Sequence, residues 1–212
     1  MIKRIKSKLN ELTIKGGILN ELNIELNNCD SVLDVGCGKH SPLLLINKKH
    51  YSVGIDGHME TVTFNKMNNN YDDCLFMNAF DLEGKFESKS FDCVLALDFI
   101  EHFEKNEAMK LITMFERIAR KKVILLTPNG FLPQDIYDNN PGQRHFSGWK
   151  KREMIDLGFR VKGVLGMKLF RGAHADVRWK PSWFWSKISL RSQLFSRNIP
   201  GIAFSLFCVK DL

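Results

Sequence analysis

The sequence lacks any apolar run long enough to cross a membrane. A spanning helix needs about 20 apolar residues, and the longest candidate, IPGIAFSLFCV at 199–209, is shorter and contains a Pro-Gly pair. The opening MIKRIKSKLNELTIK is basic but has neither the apolar core nor the small-residue cleavage site of a secretory signal. We therefore expect a cytoplasmic protein.

Cysteine is scarce and scattered. The 5 cysteines are odd in number and form no CxxC pair, which argues against a disulfide framework and against a zinc or redox site of paired cysteines. We expect buried free thiols. Repeats and low-complexity linkers are also missing, so the 212 residues indicate one globular domain with a substantial core.

Acidic residues are missing between Val177 and Lys210, in a chain whose formal net charge is +7. This segment alternates basic and aromatic side chains, namely Arg178, Trp179, Lys180, Trp183, Phe184, Trp185, Lys187, Arg191, Phe195 and Arg197. Three interpretations stay open. The segment contacts an anionic membrane or lipid-linked substrate, it binds RNA, or it is a hydrophobic insertion that packs on the domain.

Short apolar runs alternate with helical patterns along the chain, which is typical of a parallel sheet covered by helices. Apolar spacing predicts one helix over 105–120, including Met109, and another near 147–157 that ends at Gly158. The predicted strands are 31–35, 51–55, 74–78, 91–97, 122–127, 159–167 and 203–209.

A glycine turn, DVGCG, follows the first predicted strand, where open α/β sheets bind ligands. The third glycine of the dinucleotide pattern GxGxxG is missing after Gly36 and Gly38. Asp34 also disfavours a pyrophosphate, because a carboxylate repels a doubly charged anion. It suits the ammonium and sulfonium of S-adenosylmethionine, which carries no phosphate.

Residues 28–170 resemble the class I S-adenosylmethionine-dependent methyltransferases. LDVGCG is similar to their first motif, FDCVLALDFIEHF to the fourth and TPNG to the end of the fifth strand. The resemblance implies S-adenosylmethionine as cofactor and Asp56 as the ribose ligand. Asn78 stands where the family commonly has an aspartate facing adenine. The implied cofactor-binding residues are Asp34, Gly36, Gly38, Asp56, Asn78, Ala79 and Leu97.

The same resemblance implies the fold. We expect a Rossmann-like seven-stranded sheet in the order 3-2-1-4-5-7-6, with an antiparallel last strand and helices on both faces. We divide the single domain of residues 1–212 into an N-terminal helical cap at 1–28, a cofactor-binding core at 29–170 and a basic aromatic insertion at 171–202.

Three polar residues follow the fourth strand in DFIEHF. On a helix beginning there, Asp98, Glu101 and His102 would share one face, turned to the active-site cleft. We predict these three as catalytic, with His102 as general base. The alternative is a divalent metal, since DxxEH is similar to the ExxEH of methyltransferases of small-RNA 3′ ends, where a later histidine, here His145, completes the metal site. We predict no metal.

The irregular segment 128–149 predicts a functional loop, because long structureless loops in compact domains usually serve binding. We expect Gln143, Arg144 and His145 to contact substrate.

The acceptor atom is predicted to be oxygen rather than nitrogen, because LDFI stands where base-amino methyltransferases carry (N/D)PP(Y/F). Resemblance to enzymes of bacterial glycan or lipid-linked sugar synthesis points to such an acceptor, and to peripheral contact with an anionic membrane. An RNA 2′-O-methyltransferase and a non-catalytic Rossmann-fold binding protein stay open. Nucleic acid is the less favoured partner.

Overall fold

The computed structural model describes residues 17–46, 50–134, 141–172 and 176–212. A seven-stranded sheet in the order β3-β2-β1-β4-β5-β7-β6 forms its centre, as predicted. The strands are β1 (Ser31–Val35), β2 (Tyr51–Asp56), β3 (Asp73–Phe76), β4 (Phe91–Leu97), β5 (Ala119–Pro128), β6 (Arg160–Met167) and β7 (Ala203–Asp211).

Strands β1 to β5 run parallel, and β7 is antiparallel to both of its neighbours, β5 and β6. The predicted direction of the last strand is therefore confirmed. Because β1 to β5 point the same way, the segments that follow them emerge at one edge of the sheet. That edge carries the glycine turn, Asp56, Asn78 and the DFIEHF segment.

Helices cover both faces of the sheet, as predicted. The helices are α1 (17–25), α2 (Met59–Met67), α3 (Leu82–Lys85), α4 (Lys105–Ile118), α5 (Lys151–Asp156), α6 (Ser182–Arg191) and α7 (Gln193–Ser196). Side chains alternate along each strand, so Leu33 packs with α3, α4 and α5 while Val32 packs with α1 and α2.

Helix α4 begins where a capping box satisfies its first turn, with Glu104 N donating to Glu107 Oε2 at 3.3 Å. It ends at Ile118, two residues before the predicted end, because β5 starts at Ala119. The prediction placed Met109 on the apolar stripe, but Met109 is exposed. Ala108 and Leu111 occupy the core-facing positions instead.

The predicted helix near 147–157 is shorter in the structure, where α5 covers only Lys151–Asp156. Trp149 is fully buried and its backbone bridges to Asn129 and Gly130, which takes this part of the chain out of the helix. Gly158, with φ of +88°, provides the left-handed turn that follows.

The basic aromatic insertion covers the outer edge of β6 with α6 and α7. The Gln193 side chain accepts from Gly166 N and donates to Gly163 O, both at 2.9 Å, so it pairs with backbone groups of an edge strand. An added Cβ would lie 2.0 Å from Ser196 O at Gly163 and 2.2 Å from Ser189 O at Gly166. Glycine therefore permits the close approach.

Ion pairs tie α1 to β6 and to the insertion. Glu21 is buried and accepts from Lys162 Nζ at 2.6 Å and Arg197 Nε at 2.5 Å. Glu25 binds Lys122 and Arg160. Helix α1 thus agrees with the predicted helical cap over 17–25, while residues 1–16 of that cap lie outside the described residues.

The five cysteines, Cys29, Cys37, Cys74, Cys93 and Cys208, are buried free thiols, as predicted. Among the described residues, no helix has both the length and the apolar composition to traverse a bilayer.

Replacing Gly163 with Ala should lower the free energy of unfolding by about 1–3 kcal/mol, because the new methyl group would overlap backbone of α7. Chemical denaturation measures the change. Gly201→Ala is the matched control: its Cβ would meet no described atom within 4 Å, so a change within about 0.5 kcal/mol is expected. Equal effects of the two substitutions would contradict the close packing.

Candidate active site

The glycine turn after β1 is built from left-handed backbone. Gly36 and Gly38 have φ of +67° and +56°, which only glycine adopts without strain. The Gly36 and Cys37 amides both donate to Ile55 O, at 2.9 and 3.0 Å. A Cβ on Gly36 would lie 2.1 Å from the Phe99 ring, whereas one on Gly38 would meet no described atom within 4 Å. The turn is packed on one side and open on the other.

Asp34 lies beneath this turn and is only 1% exposed. Its Oδ2 accepts from Ser41 Oγ at 2.6 Å and from Tyr71 OH at 2.7 Å. Burial raises its pKa to about 6, an effect that the nearby Asp56 carboxylate increases. The carboxylate thus fixes the helical turn that starts at Ser41, and its predicted contact with the cofactor's charge stays a prediction.

Asp56 ends β2 beside the turn and binds backbone amides on both sides. Oδ2 accepts from Gly38 N at 3.0 Å, and Oδ1 accepts from His58 N at 2.8 Å. Each carboxylate oxygen can accept more than one hydrogen bond. The half-buried carboxylate therefore retains acceptor capacity for a pair of hydroxyls, as the ribose prediction requires.

Asn78 and Ala79 continue the same edge after β3. Asn78 Oδ1 accepts from Phe80 N at 3.0 Å and so caps the 3-10 helix Ala79–Asp81. Its second lone pair can still accept from an adenine amino group. Leu97, at the end of β4, lies at the same edge of the sheet.

These residues fit an adenosyl cofactor. The open side of Gly38 lets a ligand approach the backbone, Asp56 supplies acceptors for hydroxyls, and Asn78 supplies an amide at the next strand end. All of these groups belong to one sheet edge and are neutral or acidic, which suits a cationic ligand without phosphate.

A pocket of about 270 Å³ opens at the ends of β4 and β5. It contains all three predicted catalytic residues and two of the predicted substrate contacts. Its lining consists of Asp98, Glu101, His102, Pro128, Leu132, Gln134, Gln143, His145, Leu165, Phe204 and Ser205. Sequence reasoning missed the wall from β6 and β7, since nothing local in VLGM or AFSL marks Leu165, Phe204 or Ser205 as pocket residues.

The prediction that Asp98, Glu101 and His102 share one face of a helix is wrong. Only Ile100–His102 form a 3-10 helix, and α4 begins later, at Lys105. Asp98 precedes that turn with a left-handed φ of +48°, which aspartate tolerates. The three side chains reach the same pocket by this tight turn rather than by helical spacing.

Glu101 is the most deeply buried ionisable side chain of the pocket, at 1% exposure. Neither carboxylate oxygen has a hydrogen-bond partner within 3.5 Å among the described residues, although the nearby Thr127 hydroxyl acts to lower the pKa. Burial, with a contribution from Asp98, raises the pKa of Glu101 well above its usual range. Asp98 stays open to the pocket along one side, yet the walls desolvate its carboxyl and raise its pKa to about 6. A buried acid without a partner marks a site for a proton, cation or substrate hydroxyl.

The rings of His102 and His145, which both line the pocket, are in edge-to-face contact, with ring centroids 4.9 Å apart. His102 Nδ1 lies 3.1 Å from Arg144 O, and Nε2 lies 3.1 Å from Asp98 O. Burial lowers the pKa of His102. A neutral ring has one N–H, so it can donate to only one of these two carbonyl oxygens, and we assign that bond to Nδ1 and Arg144 O. The Nε2 lone pair then faces the Asp98 carbonyl oxygen.

A metal ion would find three ligands here rather than four. One ligand atom each of Glu101, His102 and His145 lies within 4.8 Å of the others. Asp98, the fourth residue of the metal alternative, does not belong to this group. His145 Nδ1 lies 2.7 Å from Leu132 O, which is the kind of backbone partner that orients metal-binding histidines.

The loop 128–149 forms a wall of the pocket, although 135–140 lie outside the described residues. Glu101 O accepts from Phe146 N and Ser147 N at 2.9 and 3.1 Å, which fastens the loop to the 3-10 helix. Gln143 and His145 line the pocket. The Arg144 side chain is not among the lining residues and lies over the Phe146 ring; its carbonyl oxygen contacts His102 instead.

A family described as Methyltransferase domain matches residues 33–127, the part that contains the glycine turn, Asp56 and the DFIEHF segment. This part of the chain therefore matches a methyltransferase domain, and the sheet order and strand directions are those of the class I S-adenosylmethionine-dependent methyltransferases. S-adenosylmethionine is the cofactor that this match supports. A comparison with curated protein sequences gives no match.

Solved structures of this fold cover nearly the whole methyltransferase. A SAM-dependent methyltransferase from Archaeoglobus fulgidus has a TM-score of 0.59 and 18% identity, covering 97% of this chain and 99% of that one. The bacterial CtHen1-CN methyltransferase domain has a TM-score of 0.57 and 15% identity, and the match covers 94% of this chain and 100% of that one. Magnesium protoporphyrin IX methyltransferase from Synechocystis PCC 6803, with bound SAM, has a TM-score of 0.55 and 16% identity. The match covers 99% of this chain and 82% of that one.

Asp34→Asn should make the methyltransferase more stable at neutral pH. The pKa of Asp34 lies above its ordinary 3.8 in the folded state, so the wild type loses stability from this group as pH rises from about 4 through 6. The difference between variant and wild type should be near zero at acidic pH and reach on the order of 2–3 kcal/mol above pH 7. Thermal and urea unfolding across pH measure it, and a pH-independent difference would contradict the pKa assignment.

Asp56→Ala should weaken binding of S-adenosylhomocysteine by roughly 2–4 kcal/mol. A hydrogen bond to a charged group contributes about 1.5–3 kcal/mol, and the two bonds to the ribose are not fully additive. Calorimetry gives the affinity. Asp72→Ala is the control, because Asp72 also binds backbone and hydroxyl groups, those of Ser52, but at the start of β2. Affinity of the Asp56 variant within twofold of wild type would rule out the ribose contact.

Proposed function

We propose that this enzyme methylates a hydroxyl oxygen of a glycan or lipid-linked intermediate bound in the pocket beside Glu101 and His102. The observation that carries the proposal is the contact between Phe99 and Gly36. Because Phe99 joins Asp98 to the 3-10 helix of the pocket, this contact places the pocket against the cofactor turn. An acceptor in the pocket therefore lies next to the cofactor.

The chemistry requires little of the protein beyond positioning. S-adenosylmethionine supplies a methyl group already activated on a sulfonium, so the acceptor oxygen forms the new C–O bond while the C–S electron pair returns to sulfur. The pocket walls hold the acceptor in line and exclude water. Its mixture of carboxyl, imidazole and amide groups with Leu132, Leu165 and Phe204 suits a hydroxylated acceptor that also has apolar parts.

His102 takes the hydroxyl proton in this proposal. Its lowered pKa keeps the imidazole neutral at pH 7, and the Arg144 carbonyl fixes the ring through Nδ1. For this step the acceptor hydroxyl must replace the Asp98 carbonyl oxygen as the neighbour of Nε2, and it then donates to the lone pair as the C–O bond forms. In their ionised forms Asp98 and Glu101 would stabilise the resulting imidazolium, and its positive charge in turn lowers the pKa of each carboxyl group.

Methylation of an RNA 2′-hydroxyl is the second candidate. The group formed by Glu101, His102 and His145 favours it, because these residues could hold a metal ion and the DxxEH sequence resembles the ExxEH of methyltransferases of small-RNA 3′ ends. The two candidates differ in acceptor and in their need for a metal.

Transfer of a tritiated methyl group into a cell extract tests the acceptor class. The extract is separated into lipid, glycan, RNA and small-molecule fractions after the reaction. We expect the label in the lipid or glycan fraction, in a linkage stable to mild base, as an ether is. Label in the RNA fraction would support the second candidate, and label in none of them, from protein that binds S-adenosylmethionine, would indicate a non-catalytic binding protein.

His102→Ala should lower the transfer rate by about 10²–10⁴ with unchanged affinity for S-adenosylhomocysteine. Chelator should leave the wild-type rate unchanged. His50→Ala is the control, since His50 binds Cys29 O just before β2, at the opposite edge of the sheet. The general-base role would be contradicted if chelator abolished activity, Mg²⁺ or Mn²⁺ restored it, and His145→Ala lost as much activity as His102→Ala. Those results would instead indicate a metal site.

A further inference from the structure

The two helices of the insertion have an inverted distribution of polarity. Their buried face toward β6 consists of three serines, Ser189, Ser192 and Ser196. Their outer face exposes large apolar side chains, of which Trp183, Leu194 and Phe195 are 64%, 77% and 67% exposed. We call this outer face, with Phe184, the helix-pair surface. A helix that only packs on a domain shows the opposite pattern.

The inner face explains why the outer residues are not needed for packing. Ser189 O and Ser196 O approach Gly166 and Gly163 so closely that even a Cβ would overlap them. Ser192 Oγ and the Gln193 amide satisfy backbone groups of β6. The helices are thus fastened by small residues and hydrogen bonds, and the exposed side chains of the helix-pair surface are left to meet something outside the domain.

A second group of rings supports the helix-pair surface from below. Trp179 and Trp185 lie 4.7 Å apart, and Phe170 stacks on Trp185 at 6.1 Å. Trp185 is half-buried in this cluster, so it serves packing rather than contact. Trp183 is linked to this cluster through Phe184, whose ring lies 5.9 Å from Trp183 and 5.4 Å from Trp185, and Trp183 itself is 64% exposed.

The charge around the surface is positive. Lys180, Lys187 and Arg191 are exposed, and none of them forms an ion pair with another of the described residues. Lys187 Nζ lies 5.5 Å from the Trp183 ring centroid. Arg197 does not belong to this set, because it pairs with Glu21.

We propose that the helix-pair surface docks on an anionic lipid bilayer. Exposed indole and phenyl rings bury at the level of the lipid headgroups, and adjacent Lys and Arg side chains are attracted by the negative surface. Charge complementarity distinguishes this occupant from an apolar protein partner. The mixture of Trp183 with Leu194 and Phe195 favours it over RNA, because leucine offers no stacking face for a base.

Docking would also bring the pocket to the membrane. Leu165 lines the pocket and is followed by Gly166, on which Ser189 of α6 packs. The β6 wall of the pocket therefore lies directly beneath the insertion. This consequence rests on the proposed function: the acceptor would be an amphiphile anchored in the bilayer, with its hydroxylated head group in the pocket.

Cosedimentation of the full chain with vesicles tests the proposal without any methyl transfer. Binding is expected to vesicles of phosphatidylcholine with phosphatidylglycerol, and to be lost at high salt or with phosphatidylcholine alone. The double variant Trp183→Ser, Phe195→Ser should reduce partitioning at least about tenfold. Its control is Ile24→Ser, Met67→Ser, which removes exposed apolar side chains from α1 and the end of α2 and should bind like wild type.

A second pair of variants tests the charges. Lys187→Glu, Arg191→Glu should also reduce binding at least about tenfold, whereas Lys110→Glu, Lys151→Glu, with equal charge change on exposed positions of α4 and α5, should have a small effect. Thermal unfolding of all variants should resemble that of wild type, because the substituted side chains are exposed.

Equal binding to neutral and anionic vesicles, or loss of binding in the control pairs, would overturn docking. So would cooperative unfolding of the Trp183 and Phe195 variant at a much lower temperature than wild type. Docking would also be wrong if the chain bound single-stranded RNA but not vesicles, and the same variants abolished the RNA binding. Vesicle binding without methyl transfer to lipid would leave docking supported and would show that the acceptor is not anchored in the bilayer.

Discussion

The contact between the Gly36 turn and Phe99 is the constraint on which the rest of the site depends. Parallel β1 and β4 are neighbours in the sheet, so the segments that follow them meet at its edge. Only a glycine lets the ring pack there, since a Cβ would lie 2.1 Å from it. This contact sets the cofactor turn against the tight turn that carries Asp98, Glu101 and His102, and so makes one site of two motifs.

The buried carboxyl groups divide into two kinds. Asp92 and Glu21 are buried but paired with Lys and Arg side chains, and those partners lower their pKa values despite burial. Asp34 and Glu101 have no such cation, and burial raises theirs. The paired acids fasten elements of the domain together. The unpaired ones lie beneath the cofactor turn and in the pocket, where retaining an acid at this cost in stability is typical of functional sites.

The insertion packs on the sheet in a different way from the helices of the core. In the core, apolar side chains face the sheet on both sides. In α6 and α7, serines face the sheet, whereas Trp183, Phe184 and Phe195 are exposed. Close backbone approach at Gly163 and Gly166 makes this possible, because hydrogen bonds and small residues replace the usual apolar stripe. The outer face is thereby released for contact with another surface.

The alternating apolar runs indicated a parallel sheet covered by helices, because each run is local and has few structural solutions. The strand order and the cofactor edge followed from the resemblance that LDVGCG and FDCVLALDFIEHF carry. Residues whose role depends on distant partners were decided only by the tertiary structure. Leu165, Phe204 and Ser205 enter the pocket from β6 and β7, Arg144 contributes a carbonyl rather than its charge, and Trp183 and Trp185 separate into exposed and packed rings. Spacing along one chain carries no information about these contacts, since they arise where strands and loops far apart in sequence are packed against each other.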